Sequence, residues 1–142
     1  MNGMQVPSAV KPEAATAIQE DLSKQSPAPK VMTVEEYVRS YFSDIPVMVE
    51  IAKCESRFRQ YGSYGEVLRG EQNALDRGVM QINEYYHGED SKKLGFDILT
   101  LEGNTAYARY IFEKYGVSPW NSSSGCWKKT VAYSEYSNLA VK

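Results

Sequence analysis

Between Arg57 and Asp76 the chain gives up the helical spacing of apolar residues that it keeps on either side. This segment carries Gly62, Gly65 and Gly70 among tyrosines and asparagine. Glycine and asparagine supply the turn conformations that break regular structure, so the segment reads as loop with a small hairpin. The flanks read as helices. A chain built this way is predicted to be α+β and mainly helical, with a minor β element inserted after the second helix.

The helix signals are specific. Thr33-Val34-Glu35-Glu36 fits a capping box, with Thr33 as N-cap and Glu36 reaching back, followed by a short helix to about Phe42. Ser43 or Asp44 is expected to cap a second helix that tolerates Pro46 in its first turn. Ile45, Met48, Ala52 and Glu55 then follow helical spacing, as do Met48, Ile51 and Glu55. After Gly78-Val79-Met80-Gln81-Ile82-Asn83, a short apolar run with a polar residue inside it, residues 84–94 read as helix stopped by Gly95. Another helix is expected from about Leu101 to Tyr115, with Leu101, Ala108, Ile111, Phe112 and Tyr115 as its buried stripe and Gly116 as its C-terminal stop. Trp120, Cys126 and Trp127 fall in a compact loop, and the polar last residues give no placement. Residues 1–30 are rich in Ala, Pro, Ser, Gln and Lys without apolar periodicity and are expected to be a disordered tether, leaving 31–142 as the folded domain.

Composition excludes several classes. A net charge of −2 gives no general attraction to nucleic acid or to an acidic membrane surface. No apolar run approaches the length of a membrane span. Residues 1–30 lack the basic start and apolar run of a signal peptide. Two cysteines, Cys54 and Cys126, and the single His87 cannot by themselves complete a four-ligand zinc site. From spacing alone the cysteines are either a disulfide or two buried thiols.

Glu55 is the residue with an energetic problem. It closes an apolar helix face, where its charged form loses hydration and its pKa is driven above the usual value of about 4.3. A carboxyl in that state can hold a proton at neutral pH and give it to a glycosidic oxygen. The plain alternative is a helix-end glutamate paired with Arg57 or Arg59.

Two blocks decide between these. Cys54-Glu55-Ser56-Arg57-Phe58 is followed by Asp76-Arg77-Gly78-Val79-Met80-Gln81-Ile82-Asn83. In this order they resemble the lysozyme superfamily, in which a Glu-Ser at a helix end faces a Gly-apolar-apolar-Gln-Ile segment across a sugar cleft. Gly78 to Ile82 resembles soluble lytic transglycosylases, while Asp76 and Asn83 add a likeness to hydrolytic animal-type lysozymes. The resemblance covers roughly residues 45–127. It implies Glu55 as catalytic acid, Ser56 as its supporting hydroxyl, and Gln81 and Asn83 as shapers of the cleft floor. It also implies a close backbone approach to ligand at Gly78 and a mostly structural Asn104. Tyr61, Tyr64, Tyr85, Tyr86 and Trp120 lie in segments expected to border the cleft and offer faces for sugar rings. The Tyr-Asn-x-Gly that many transglycosylases carry near the C-terminus is missing, and Trp120-Asn121 falls in that region. A cysteine just before the acid and another near the domain end resemble the resuscitation-promoting factors, which implies a Cys54–Cys126 bridge.

The expectation is therefore a monomeric, extracytoplasmic peptidoglycan-cleaving muramidase of lysozyme-like fold. Its expected partner is the glycan strand, and the chemistry the resemblance implies is lytic transglycosylation at the N-acetylmuramic acid–β-1,4–N-acetylglucosamine bond, for which no metal or organic cofactor is needed. The alternatives are a hydrolase using Asp76 as second carboxylate and a glycan-binding module without turnover.

Overall fold

The computed structural model describes residues 31–141; the expected tether at 1–30 lies outside the described residues. Six α-helices, one 3-10 segment and a two-stranded antiparallel sheet make up the described residues, a mainly helical α+β arrangement.

Helix α1 (Val34–Tyr41) begins at the expected capping box: the Glu36 amide donates to Thr33 Oγ1 at 3.1 Å and the Thr33 amide donates to Glu36 Oε1 at 3.2 Å. Helix α2 (Pro46–Ser56) starts differently from expectation. Its N-cap is Ile45, with no side-chain cap, and Pro46 occupies the first turn, where a missing N–H is harmless. Asp44 does not cap because its carboxylate takes a two-pronged bond from Arg109, at 2.9 and 2.8 Å. A two-pronged bond to a guanidinium of this kind outweighs a single cap bond to a backbone amide. Arg109 also donates to the Tyr41 carbonyl at 2.7 Å, so one guanidinium ties the α1–α2 junction to helix α4 (Leu101–Tyr115).

Helix α2 is the axis of the fold. Val47, Met48, Val49, Ile51 and Ala52 are buried along it. Helix α1, the 3-10 segment Ser118–Ser123, the short helix α5 (Ser124–Trp127) and helix α6 (Val131–Val141) all pack against it. The helix ends on two consecutive left-handed residues, Arg57 at φ 54° and Phe58 at φ 60°. Such backbone is uncommon for residues with a Cβ, and it turns the chain sharply out of the helix. Ser56 holds the turn: its hydroxyl donates to the Ala52 carbonyl and accepts from the Arg59 amide, both at 3.1 Å.

The segment after α2 is mostly loop, tied by isolated bridges at Tyr61–Val67 and Arg69–Arg77. Its regular ladder lies at the far edge, where β1 (Asp76–Arg77) pairs with β2 (Ile82–Asn83) in the register Asp76–Asn83 and Arg77–Ile82. The turn between them is pinned from inside by two buried amides. Gln60 Oε1 accepts from the Val79 amide at 2.8 Å, while its Nε2 donates to the Leu99 carbonyl at 3.1 Å. Asn104 Oδ1 accepts from the Met80 amide at 2.9 Å, and its Nδ2 donates to the Arg77 and Ile98 carbonyls at 3.0 and 2.8 Å. The structural role expected for Asn104 is the one it has.

Gly78 sits at φ 71° between these amides. A Cβ there would fall 2.6 Å from both Asn104 Nδ2 and Gln60 Oε1. The sequence suggests that its missing side chain admits a ligand; what it admits is this pair of core side chains. Gly78→Ala is expected to cost about 1–3 kcal/mol from backbone strain alone, with a further penalty for displacing an amide. A chemical-denaturation midpoint equal to the parent's would contradict that.

Asn83 caps helix α3 (Glu84–Lys93), its Oδ1 accepting from the Tyr85 and Tyr86 amides at 3.0 and 3.1 Å. Gly95, at φ 85°, follows the end of α3 as expected. In α4, Ala108 and Ile111 are buried and Leu101 and Phe112 pack at the edge of the core. Tyr115, expected in the buried stripe, is instead 60% exposed, because it is the last residue of the helix and the chain turns away at Gly116. Tyr107 is the aromatic that fills the interior. The stretch expected as a compact loop after Pro119 is the 3-10 segment and α5. The unplaced C-terminal residues form α6, whose Tyr133 and Tyr136 pack on Trp127 and Phe112 with ring centroids 5.3 and 5.7 Å apart. Cys54 and Cys126 form a disulfide with Cα atoms 6.0 Å apart, tying α2 to α5. No helix among the described residues is long and apolar enough to cross a membrane.

Candidate functional site

Glu55 lies in the last turn of α2, half-buried, beside the point where the chain swings out. It stands on a wall shared by two open depressions, one of about 220 Å³ and one of about 560 Å³. Asp76, Gln81 and Ser122 line both as well. Tyr86, His87 and Trp120 border the smaller depression, and Arg57, Arg59 and Arg69 the larger.

The Glu55 carboxyl is held above the ordinary carboxylate range. Burial is the main cause, the negative charge of Asp76 adds to it, and a hydrogen bond from Ser123 opposes both. That bond runs from Ser123 Oγ to Glu55 Oε1 at 2.5 Å. Ser123 Oγ in turn accepts from Trp127 Nε1 at 3.0 Å. A carboxyl whose pKa is raised by burial, open to a cleft and oriented by one neutral donor, is equipped to donate a proton and take it back. Neither arginine considered as its ion-pair partner forms a salt bridge with it among the described residues. Arg59 donates instead to the Ser56 carbonyl at 2.9 Å.

Asp76 opens β1 and accepts from Asn83 Nδ2 at 2.9 Å. It does not pair with Arg77. That guanidinium is buried and binds Glu84 at 3.1 and 3.2 Å, which leaves the Asp76 carboxylate on the cleft. Gln81 adopts φ 51°, and its Nε2 donates to the Gly78 carbonyl at 2.9 Å, so the side chain is folded over the turn at the cleft floor. Asn83 is also on the floor, with one end on Asp76 and the other capping α3.

Five expected residues are placed otherwise. Ser56 is 2% exposed and its hydroxyl is committed to the Ala52 and Arg59 backbone, so it does not support Glu55. The hydroxyl that does is Ser123. Tyr85 points to solvent and lines neither depression; it packs edge-on against Tyr86, 5.1 Å away, and Tyr86 is the tyrosine that reaches the cleft. The two are adjacent on a helix and cannot share a direction. Trp120 is 3% exposed with Nε1 donating to the Met80 carbonyl at 2.9 Å, so it is cleft wall and core rather than a free stacking face. Tyr61 and Tyr64 are exposed and line neither depression.

Ser123 and His87 are the site residues that the pattern of the sequence does not single out. Ser123 sits in the run Ser122-Ser123-Ser124, which has no local signal. The bridge holds the clue: Cys54 immediately precedes Glu55 and Cys126 follows Ser123 by three positions. His87 Nδ1 lies 2.9 Å from the Tyr107 hydroxyl, and burial lowers its pKa against the opposing charge of Asp90. No cluster of three or more His, Cys, Asp or Glu side chains capable of holding a metal occurs among the described residues. Comparison with protein-family models, with curated proteins and with solved structures found no match.

Proposed function

We propose that this chain is a lysozyme-like peptidoglycan-cleaving enzyme, most simply a lytic transglycosylase with Glu55 as its acid and base. One observation carries the reading: a desolvated, hydroxyl-bonded carboxyl on the wall between two contiguous depressions. A polymer laid across both would place one of its linkages, rather than an end, at Glu55. The arrangement of the helix-borne glutamate opposite the Asp76–Asn83 hairpin supports the superfamily likeness of the two sequence blocks.

In this reading Glu55 protonates the bridging oxygen between N-acetylmuramic acid and N-acetylglucosamine. The C–O bond breaks, and the substrate's own acetamido group stabilises the cation-like carbon. Glu55, now charged, takes the proton of the muramyl C6 hydroxyl, whose oxygen closes a 1,6-anhydro ring. Because the nucleophile is part of the same sugar and already close, one carboxyl suffices. Asp76, bound to Asn83, contributes negative charge that favours the cation-like centre. Oxidative formation of the Cys54–Cys126 bridge supports an extracytoplasmic location.

A second reading has support from the shared lining: Asp76 reaches the same cleft as Glu55 and could serve a hydrolase as second carboxylate. Asp76→Asn separates the two. The transglycosylase reading expects turbidity loss of a peptidoglycan suspension to stay within about tenfold of the parent, because general acid–base effects of about 10²–10⁴-fold rest on Glu55 alone. An inactive Asp76→Asn protein, with reducing muropeptides from the parent, would put the hydrolase in its place. Binding of peptidoglycan by the parent without any turbidity loss would identify a glycan-binding module.

A further inference from the structure

The cleft contains a hydrogen-bond chain that a single acid would not need for solvation alone. Trp127 Nε1 donates to Ser123 Oγ at 3.0 Å, and Ser123 Oγ donates to Glu55 Oε1 at 2.5 Å. A second acceptor lies within reach of the same hydroxyl hydrogen, the Trp120 carbonyl at 3.1 Å, which Trp127 Nε1 also approaches at 3.3 Å. A serine hydroxyl has one hydrogen and two lone pairs. With Trp127 occupying one lone pair, that hydrogen has two destinations, Glu55 and Trp120. No hydrogen bond reaches Glu55 Oε2 from the described residues, and that oxygen is not a buried unsatisfied atom.

We propose that Ser123 is the positioning residue of Glu55: a hydroxyl whose oxygen is held by Trp127, which donates to Oε1, leaves Oε2 to carry and return the proton, and turns toward the Trp120 carbonyl when Glu55 is neutral. The charged carboxylate is the stronger acceptor, so it draws the hydroxyl hydrogen fully. The neutral acid is weaker, and the Trp120 carbonyl then competes. No proton leaves Ser123; only rotation about its Cβ–Oγ bond is needed. An acid that must also act as base needs this adaptability, because a fixed cation would hold it charged and a purely apolar wall would hold it neutral. The disulfide supports the chain from outside, joining Cys54 beside Glu55 to Cys126 in the same short helix as Trp127. Other charged or titratable groups on the two depressions are Asp76, Tyr86, His87, Glu71, Arg57, Arg59 and Arg69. None of them forms a hydrogen bond to Ser123.

The inference rests on the muramidase reading only for its effect on turnover; the coupling itself can be read without activity. The indole N–H resonances of the intact protein, recorded by NMR against pH with carboxyl-labelled glutamate, test it. The chain has two tryptophans, and Trp120 Nε1, bonded to the Met80 carbonyl, is the internal control. The Trp127 indole resonance is expected to move in step with the Glu55 carboxyl while that of Trp120 moves far less. Ser123→Val is expected to shift the Glu55 titration upward and to uncouple Trp127. Ser123→Thr, which keeps the hydroxyl on a branched side chain of the same shape as valine, is expected to preserve both. In turnover, Ser123→Val should move the alkaline limb of the rate profile upward and lower kcat by about tenfold or more, with KM little changed. A Trp127 resonance that stays flat through the Glu55 titration overturns the proposal even if no variant folds. So does a folded Ser123→Val protein that titrates as the parent does. Coupled titrations in a parent that never solubilises peptidoglycan would leave the relay standing and reject the muramidase reading.

Discussion

Glu55→Gln is expected to slow peptidoglycan solubilisation by about 10²–10⁴-fold, the usual contribution of a positioned acid–base group. The substitution is isosteric. Its amide oxygen can still accept from Ser123, so the link from α2 to the 3-10 segment survives. In the proposed mechanism, what disappears is the proton that the bridging oxygen needs and the carboxylate that receives it back. Stability should move the other way. Burial raises the folded pKa of Glu55, so its favourable contribution is fully present below the unfolded pKa and is lost as pH rises through the folded value. At neutral pH the permanently neutral amide of the variant avoids that loss, and its melting temperature is expected to equal or exceed the parent's. An inactive protein of undiminished stability ties the defect to chemistry. Clearance near the parent rate would remove Glu55 from the mechanism.

Loss of the disulfide is expected to have the largest effect on stability. Cys54 and Cys126 are 72 positions apart, and closing a loop of that length removes enough unfolded-state entropy for about 4 kcal/mol in the chain-entropy model. The Cys54→Ser, Cys126→Ser double variant should therefore show a denaturant midpoint well below the oxidised parent's, and reduction of the parent should bring the two together. Activity should fall further than the unfolded fraction explains. The bridge joins the element that carries Glu55 to the short helix that carries Trp127, directly after Ser123. A double variant with the parent's midpoint would show that the bridge adds nothing to this fold.

The helices are legible in the sequence because their signals are local. The Thr33 capping box, Pro46 in a first turn, Gly95 after α3 and Gly116 at the end of α4 each act through neighbouring backbone, and each stands where its chemistry requires. The mainly helical α+β class follows from these and from the glycine-rich break after Arg57. What is not legible depends on distant partners. Asp44 has the chemistry of a cap but is claimed by Arg109, sixty-five positions away. Ser56 sits next to the acid in sequence yet faces the backbone of its own helix end, because the left-handed turn at Arg57 and Phe58 needs its hydroxyl. Ser123 supports Glu55 from sixty-eight positions away, without any periodicity or turn signal to announce it. Gln60 and Asn104 are of the same kind: polar side chains whose burial is sensible only once the Gly78 turn lies against them. Helix α6 escapes a reading by local pattern because its tyrosines lean on Trp127 and Phe112, partners brought near only by the bridge and the core.

Mass spectrometry of the material released from purified peptidoglycan by the intact protein tests the central claim most directly. Transglycosylation by Glu55 is expected to release 1,6-anhydromuropeptides without new reducing ends, and the Glu55→Gln protein should release almost none. Absence of any released muropeptide from the oxidised, folded parent, or equal release by Glu55→Gln, would contradict the account.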